Sequence, residues 1–160
     1  MMSETRLAAL AAGIAFTAVA GAALRSGFEL LSAQEYQSEL AARAAPGAAF
    51  SFKSADIDGP SITVVRPDHT APIHPPVDIE VRFKPAQGAS VNVNSLKITY
   101  GWMSFDVTQR ILGAPGVQVS PDGLKANGAQ LPPGSHKLII AVADNYGRTG
   151  RQPVEFTVTK

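Results

Sequence analysis

The side-chain periodicity of this 160-residue chain changes near Ser61, and that change constrains the fold more than any other feature of the sequence. Before it, apolar residues recur at three- and four-residue steps. After it they alternate with polar ones, the two-residue repeat of a strand with one face buried. Val77, Ile79, Val81 and Phe83 alternate with Asp78, Glu80, Arg82 and Lys84, and Leu96, Ile98 and Tyr100 alternate with Lys97 and Thr99. Leu138, Ile140 and Val142 share one side of a later segment, and Val154, Phe156 and Val158 repeat the pattern near the C-terminus. Ile62 to Val65 forms a short strand closed by Arg66-Pro67, and Ser120-Pro121-Asp122-Gly123 has the proline and glycine placement of a type I turn. That turn joins Val117 and Val119 to a returning Leu124-Lys125-Ala126. The pattern predicts a mainly β protein with a single antiparallel β-sandwich over residues 61–160.

Composition narrows the stabilising forces and the partners. With no cysteine there is no disulfide, no thiolate metal site and no cysteine nucleophile, so packing and backbone hydrogen bonds must hold the fold. Lys and Arg number 14 against 13 Asp and Glu, a net charge of +1 that leaves no field to gather nucleic acid.

Residues 1–26 read as an export signal or a membrane anchor. From Leu7 to Leu24 no side chain is charged, and small residues at Ala18-Val19-Ala20 or Gly21-Ala22-Ala23 fit a signal-peptidase site. A helix of this stretch would reach roughly 27 Å, close to the hydrocarbon thickness of a bilayer, so membrane retention through residues 7–24 stays open. Either outcome predicts a bacterial cell-envelope protein that is periplasmic or secreted, with the inner membrane as the alternative anchor point.

A second helix is expected from Phe28 to Ala45, with Leu30, Ala33, Tyr36, Leu40 and Ala44 along one side and Pro46-Gly47 ending it. Residues 27–60 then form a helical stalk and linker.

The run PPGSHKLIIAVADNYGRTG, followed by VEFTV, resembles the last two strands of bacterial immunoglobulin-like and fibronectin type III-like domains. This resemblance implies an immunoglobulin-like β-sandwich for residues 61–160, preceded by the hydrophobic helix and the short second helix. It implies architecture and not activity, because such folds serve adhesion, carbohydrate binding and plain spacing alike. The sequence lacks the paired cysteines of antibody-type domains, and Tyr146 stands in the Asp144-Asn145-Tyr146-Gly147 turn.

Candidate sites are few. Gly101-Trp102-Met103-Ser104-Phe105 interrupts the alternation with three large apolar residues, which form a partner or sugar patch if they face water and an end plug if they turn inward. Trp102, Met103, Phe105 and Tyr146 are therefore the candidate binding residues. His69, His74 and His136 invite a metal reading, but ligands five apart across Pro72 need share no direction and His136 joins only if the entry loop lies beside the Pro132 to Ser135 turn, so they are read as loop histidines and no metal or cofactor is expected. Asp144 is assigned to closing its turn and not to calcium. Arg148 and Arg151 read as a small exposed edge. No G-x-S-x-G, H-E-x-x-H or phosphate-cradling glycine loop is present, and Glu80 and Glu155 fall on the outward phase of their strands. The expectation is a non-enzymatic protein that contacts another envelope protein or acts as a spacer. Two alternatives stand beside it: an accessory subunit anchored in the membrane, and a periplasmic module binding carbohydrate or copper.

Overall fold

The structure, a computed structural model, describes residues 27–46, 53–68 and 70–160, so the Leu7 to Leu24 stretch and His69 lie outside it. Two sheets face one another. The first carries β1 (Phe28–Glu29), β7 (Gly123–Gln130), β3 (Val77–Lys84) and β2 (Ser61–Arg66) in that order, with β6 (Gln118–Ser120) also paired to β7. In the second the order is β5 (Phe105–Asp106), β4 (Val91–Tyr100), β8 (Gly134–Asp144) and β9 (Thr149–Val158). Strand pairs are antiparallel apart from β1 with β7, which run parallel. The molecule is a β-sandwich.

Its core is built from the alternating residues. Val77, Ile79, Val81 and Phe83 on β3 are buried, and so are Leu138, Ile140 and Val142 on β8 and Val154, Phe156 and Val158 on β9. Each such side chain contributes ~1.5–3 kcal/mol on burial. The outer phase of β3 carries polar Asp78, Glu80, Arg82 and Lys84, whereas that of β8 carries apolar Ile139, Ala141 and Ala143. Ser120 and Gly123 pair across the β6–β7 turn. Strand β4 begins at Val91, earlier than the alternation predicts, because its register with β8 shifts between Asn92 and Lys97. There the Ser95 hydroxyl accepts from the Ala143 amide at 2.7 Å and donates to the Asn92 carbonyl at 2.6 Å, replacing a missing ladder bond.

The segment ahead of the sandwich differs from the stalk expected for residues 27–60. Phe28 and Glu29 are a strand, not helix, and Leu30 and Leu31 are buried in the core. Helix α1 (Ala33–Ala44) starts only after Ser32, whose side chain accepts from the Glu35 amide at 3.2 Å while Glu35 accepts from the Ser32 amide at 3.0 Å. This reciprocal capping satisfies two end donors of the helix and sets its first turn. Glu35 also receives both guanidinium nitrogens of Arg110, at 2.8 and 2.5 Å, and Arg110 donates at 3.3 Å to the Leu30 carbonyl. Arg110 belongs to α2 (Thr108–Leu112), which the sequence left undecided between strand and turn. Tyr36 and Glu39 are the buried residues of α1, whereas Leu40, placed on the apolar side by its spacing, is 37% exposed. Among the described residues no helix is long and apolar enough to cross a membrane.

The capping box and the Arg110 fork hold Glu35 down from the usual 4.5 to about 2, chiefly through the Arg110 hydrogen bonds and then the Ser32 amide. A lowered folded-state value means that this contribution is complete above about 4.5 and is lost as the pH falls toward 2. Urea unfolding at a series of pH values should therefore give a Glu35→Gln variant a shallower acid limb than the parent. Ser32→Ala should cost about 1 kcal/mol at neutral pH.

Candidate functional site

Helix α1 crosses the end of the sandwich where β4 stops and β8 starts, and two glycines let it come close. Gly101, with φ of 66°, turns the chain out of β4, and a Cβ on it would collide with the Glu39 carboxyl group. Gly134, with φ of 139°, opens β8, and a Cβ there would strike the Tyr36 hydroxyl. Both positions demand a residue without a side chain, for conformation and for space.

Glu39 is 3% exposed and forms no salt bridge among the described residues, an unusual place for a carboxyl group. Its two oxygens instead accept backbone amides of the following loop, that of Trp102 on Oε1 and that of Met103 on Oε2 at 3.1 Å. Helix and loop are thereby joined by a buried polar clamp, in which the loss of one partner leaves the other unsatisfied.

Beneath the helix lies a second buried polar pair. The His136 Nε2 lies 2.8 Å from the Pro132 carbonyl, which can only accept, so the Nε2–H donates. Nδ1 is then the acceptor of the Tyr100 hydroxyl at 2.7 Å. The ring is flanked by Tyr36 at 5.1 Å and by Phe156, stacked at 5.6 Å. Burial lowers the His136 pKa, partly countered by the Pro132 carbonyl, and the neutral ring is the form this hydrogen-bond pattern requires. Burial, with Glu39 and then Tyr36 nearby, raises the Tyr100 pKa.

Over this floor opens a cleft of about 510 Å³, walled by α1, the turn after β4, residues 70–72 and the adjoining ends of β8 and β9. Ser135 and Lys137 face Thr157 and Glu155 across the β8–β9 ladder, and Lys137 and Glu155 pair at 2.6 Å. Arg43 stands at the C-terminal end of α1, also on the cleft.

Of the candidate binding residues, the structure brings three together and separates the fourth. Trp102 is half-buried and lines the cleft, Met103 is 51% exposed beside it, and Phe105 is half-buried in β5, opposite Tyr100. The loop is thus divided, being neither an inward plug nor a wholly exposed patch. Tyr146 is 67% exposed in the β8–β9 turn, beyond the far end of β8 and so roughly 25 Å from where the loop meets that strand at Lys137.

The remaining polar candidates have local roles. His136 is no loop residue: it is buried and both its ring nitrogens are engaged. His74 is exposed, with Nδ1 2.9 Å from the Thr159 hydroxyl and 3.2 Å from the Lys160 carbonyl. Among the described residues no three His, Cys, Asp or Glu side chains gather to hold a metal. Buried Asp144 accepts from the amides of Tyr146 at 2.9 Å and Arg148 at 3.0 Å, and pairs with the Arg148 guanidinium at 2.7 Å. Its desolvation raises the pKa, but the Arg148 and Tyr146 contacts outweigh this and hold it below the usual range. Arg148 is therefore a turn-closing residue and not a merely exposed edge, and its guanidinium also sits 5.1 Å over the Tyr146 ring.

Comparison with known proteins adds little at this point. No protein-family model and no curated protein matches the chain. Among solved structures, the crystal structure of CopC from Methylosinus trichosporium OB3b is similar over 61% of this chain and 92% of its own, at 21% identity and a TM-score of 0.39.

Glu39→Ala should strand two loop amides and cost about 1–3 kcal/mol of stability in urea unfolding. The emission of Trp102, the single tryptophan of the chain, should shift to the red as the loop loosens. Emission and stability identical to the parent would mean that the clamp does not hold the loop.

Proposed function

We propose that this is an exported, non-catalytic protein of the cell envelope, whose immunoglobulin-like sandwich contacts another envelope protein through the loop from Gly101 to Phe105. The observation that carries this reading is the combination of an exposed Met103 with a loop whose backbone is pinned from behind by Glu39. A large apolar side chain held outward on a rigid support loses little entropy on docking, and methionine adapts to irregular partner surfaces. The engagement of buried Glu39, His136 and Asp144 within the protein supports a binding role over a catalytic one, since none of the three offers a free acid or base. The apolar stretch from Leu7 to Leu24 supports export to the periplasm or beyond. A photo-crosslinking amino acid at position 103 should yield a defined adduct in cells, and one at Val119, on the other sheet, should not. Adducts of the same pattern from both positions, or none from position 103, would refute the contact.

One observation favours a second reading, the accessory subunit held at the membrane. The sandwich begins at Phe28, three residues after Arg25, and three residues span at most about 11 Å. If the apolar stretch stays in the bilayer, the β1 edge of the sandwich rests beside the headgroups with no stalk between. Mass spectrometry of the mature N-terminus separates the two: this reading requires an intact Leu7 to Leu24 in the membrane fraction, and a start at Gly21 or Leu24 excludes it.

A further inference from the structure

We propose that the loop from Gly101 to Phe105 is held by a proton-controlled latch, in which protonation of His136 draws the Glu39 carboxylate away from the amides of Trp102 and Met103. This deepens the reading of the loop as a contact surface and rests on that reading for its consequence: freeing the backbone behind Met103 withdraws the rigid support that favours docking. The parts of the latch adjoin one another. Glu39 of α1 holds the two loop amides, Tyr100 ends β4 immediately before the loop, and His136 on β8 accepts from the Tyr100 hydroxyl on Nδ1 at 2.7 Å. The Glu39 carboxyl group also lies against the backbone next to Tyr100, where a Cβ on Gly101 would strike it. All three side chains line the cleft beside α1, which gives protons a way in.

The hydrogen bonds of the neutral ring leave no place for a second proton. His136 Nε2 donates to the Pro132 carbonyl and Nδ1 accepts from Tyr100, so a proton on Nδ1 forces the Tyr100 hydroxyl to turn round and accept. The Tyr100 O–H then needs a new acceptor and the imidazolium a counter-charge, in a site where an unpaired charge is costly. The charged and titratable groups around the ring are Tyr36, Glu39 and Arg43 from α1, Tyr100 from β4, Lys137 on its own strand and Glu155 from β9. Tyr36 is neutral, Arg43 has the wrong sign, and Glu155 is paired with Lys137. That leaves Glu39, the carboxylate that acts most strongly on Tyr100. A move of Glu39 toward the Tyr100–His136 pair takes its oxygens off the loop. Burial holds the His136 pKa below the usual 6.5, so the neutral, latched form is complete above that value and is lost as the pH falls below it.

The test uses the full chain, untagged and in detergent, titrated from about pH 7.5 to about pH 4.5. Trp102 emission should change reversibly with a midpoint below 6.5. Across that midpoint, exchange of the Trp102 and Met103 amides, corrected for the intrinsic effect of pH, should speed up about tenfold while far-UV circular dichroism holds. In a His69→Gln/His74→Gln variant, which keeps His136 as the lone histidine, the NMR titration of the ring should share the midpoint of the emission change. Tyr100→Phe should uncouple the two, the ring still titrating and the emission staying flat; if that variant fails to fold, the shared midpoint carries the test. No emission change over the range, a ring midpoint that differs from the emission midpoint, or a Tyr100→Phe protein whose loop still responds would each overturn the latch. The contact itself is read separately, by the crosslink at position 103 in cells at neutral pH. Its absence removes the consequence and leaves the latch to be judged on the purified protein, whereas a failed latch leaves the neutral-pH adduct in place.

Discussion

Burial of every second side chain along the strands is the interaction on which the rest of this molecule depends. The chain has no cysteine to staple it, so the two sheets must be held by their facing apolar surfaces, Val77, Ile79, Val81 and Phe83 from one and Leu138, Ile140, Val142, Val154, Phe156 and Val158 from both strands of the last hairpin. Because the side-chain period is two, a slip of one residue in any strand would turn this set toward water. That is why polar side chains can supply the local corrections: Ser95 repairs the ladder where β4 shifts register, and a short turn sets the β6–β7 pairing.

The ends of the sandwich obey a different rule. There the strands stop, backbone groups lose their ladder partners, and side chains take over. At one end Asp144 collects the amides of the β8–β9 turn and is neutralised by Arg148, which closes the end with a polar knot. At the other, α1 lies across the opening and Glu39 collects the amides of Trp102 and Met103. The two carboxyl groups do similar work, and at the second end the helix laid across the strands leaves a cleft of about 510 Å³ beside it. The candidate binding surface thus follows from how the fold is closed.

That closure also connects otherwise separate features. The segment from Phe28 to Ala44 contributes a parallel strand, two core leucines, a capped helix and the Glu39 clamp, and Arg110 ties its first helical turn to α2. What reads as a spacer by composition is, from Phe28 to Ala44, a wall of the domain.

Reading the residues in order recovers the strands because alternation is local: Val77 to Lys84 reveals its buried side without knowing what lies opposite. The turn at Ser120 to Gly123 is legible for the same reason. The Ser32-x-x-Glu35 spacing of the capping box is equally local, yet the expected helix start at Phe28 passed over it, and α1 begins at Ala33. Glu39, His136 and Leu40 are not legible in this way. A carboxyl group is buried here because two amides 63 and 64 residues further along the chain need acceptors, and a histidine is buried because a tyrosine and a proline carbonyl satisfy both of its nitrogens. Local pattern put Leu40 inward and gave no signal at Glu39, since hydropathy weighs each residue alone, whereas burial is decided by whether partners from distant segments meet its hydrogen bonds. The sequence by itself determined the layered β architecture and the grouping of Trp102, Met103 and Phe105; only the tertiary structure decided which of them faces the cleft and which faces out.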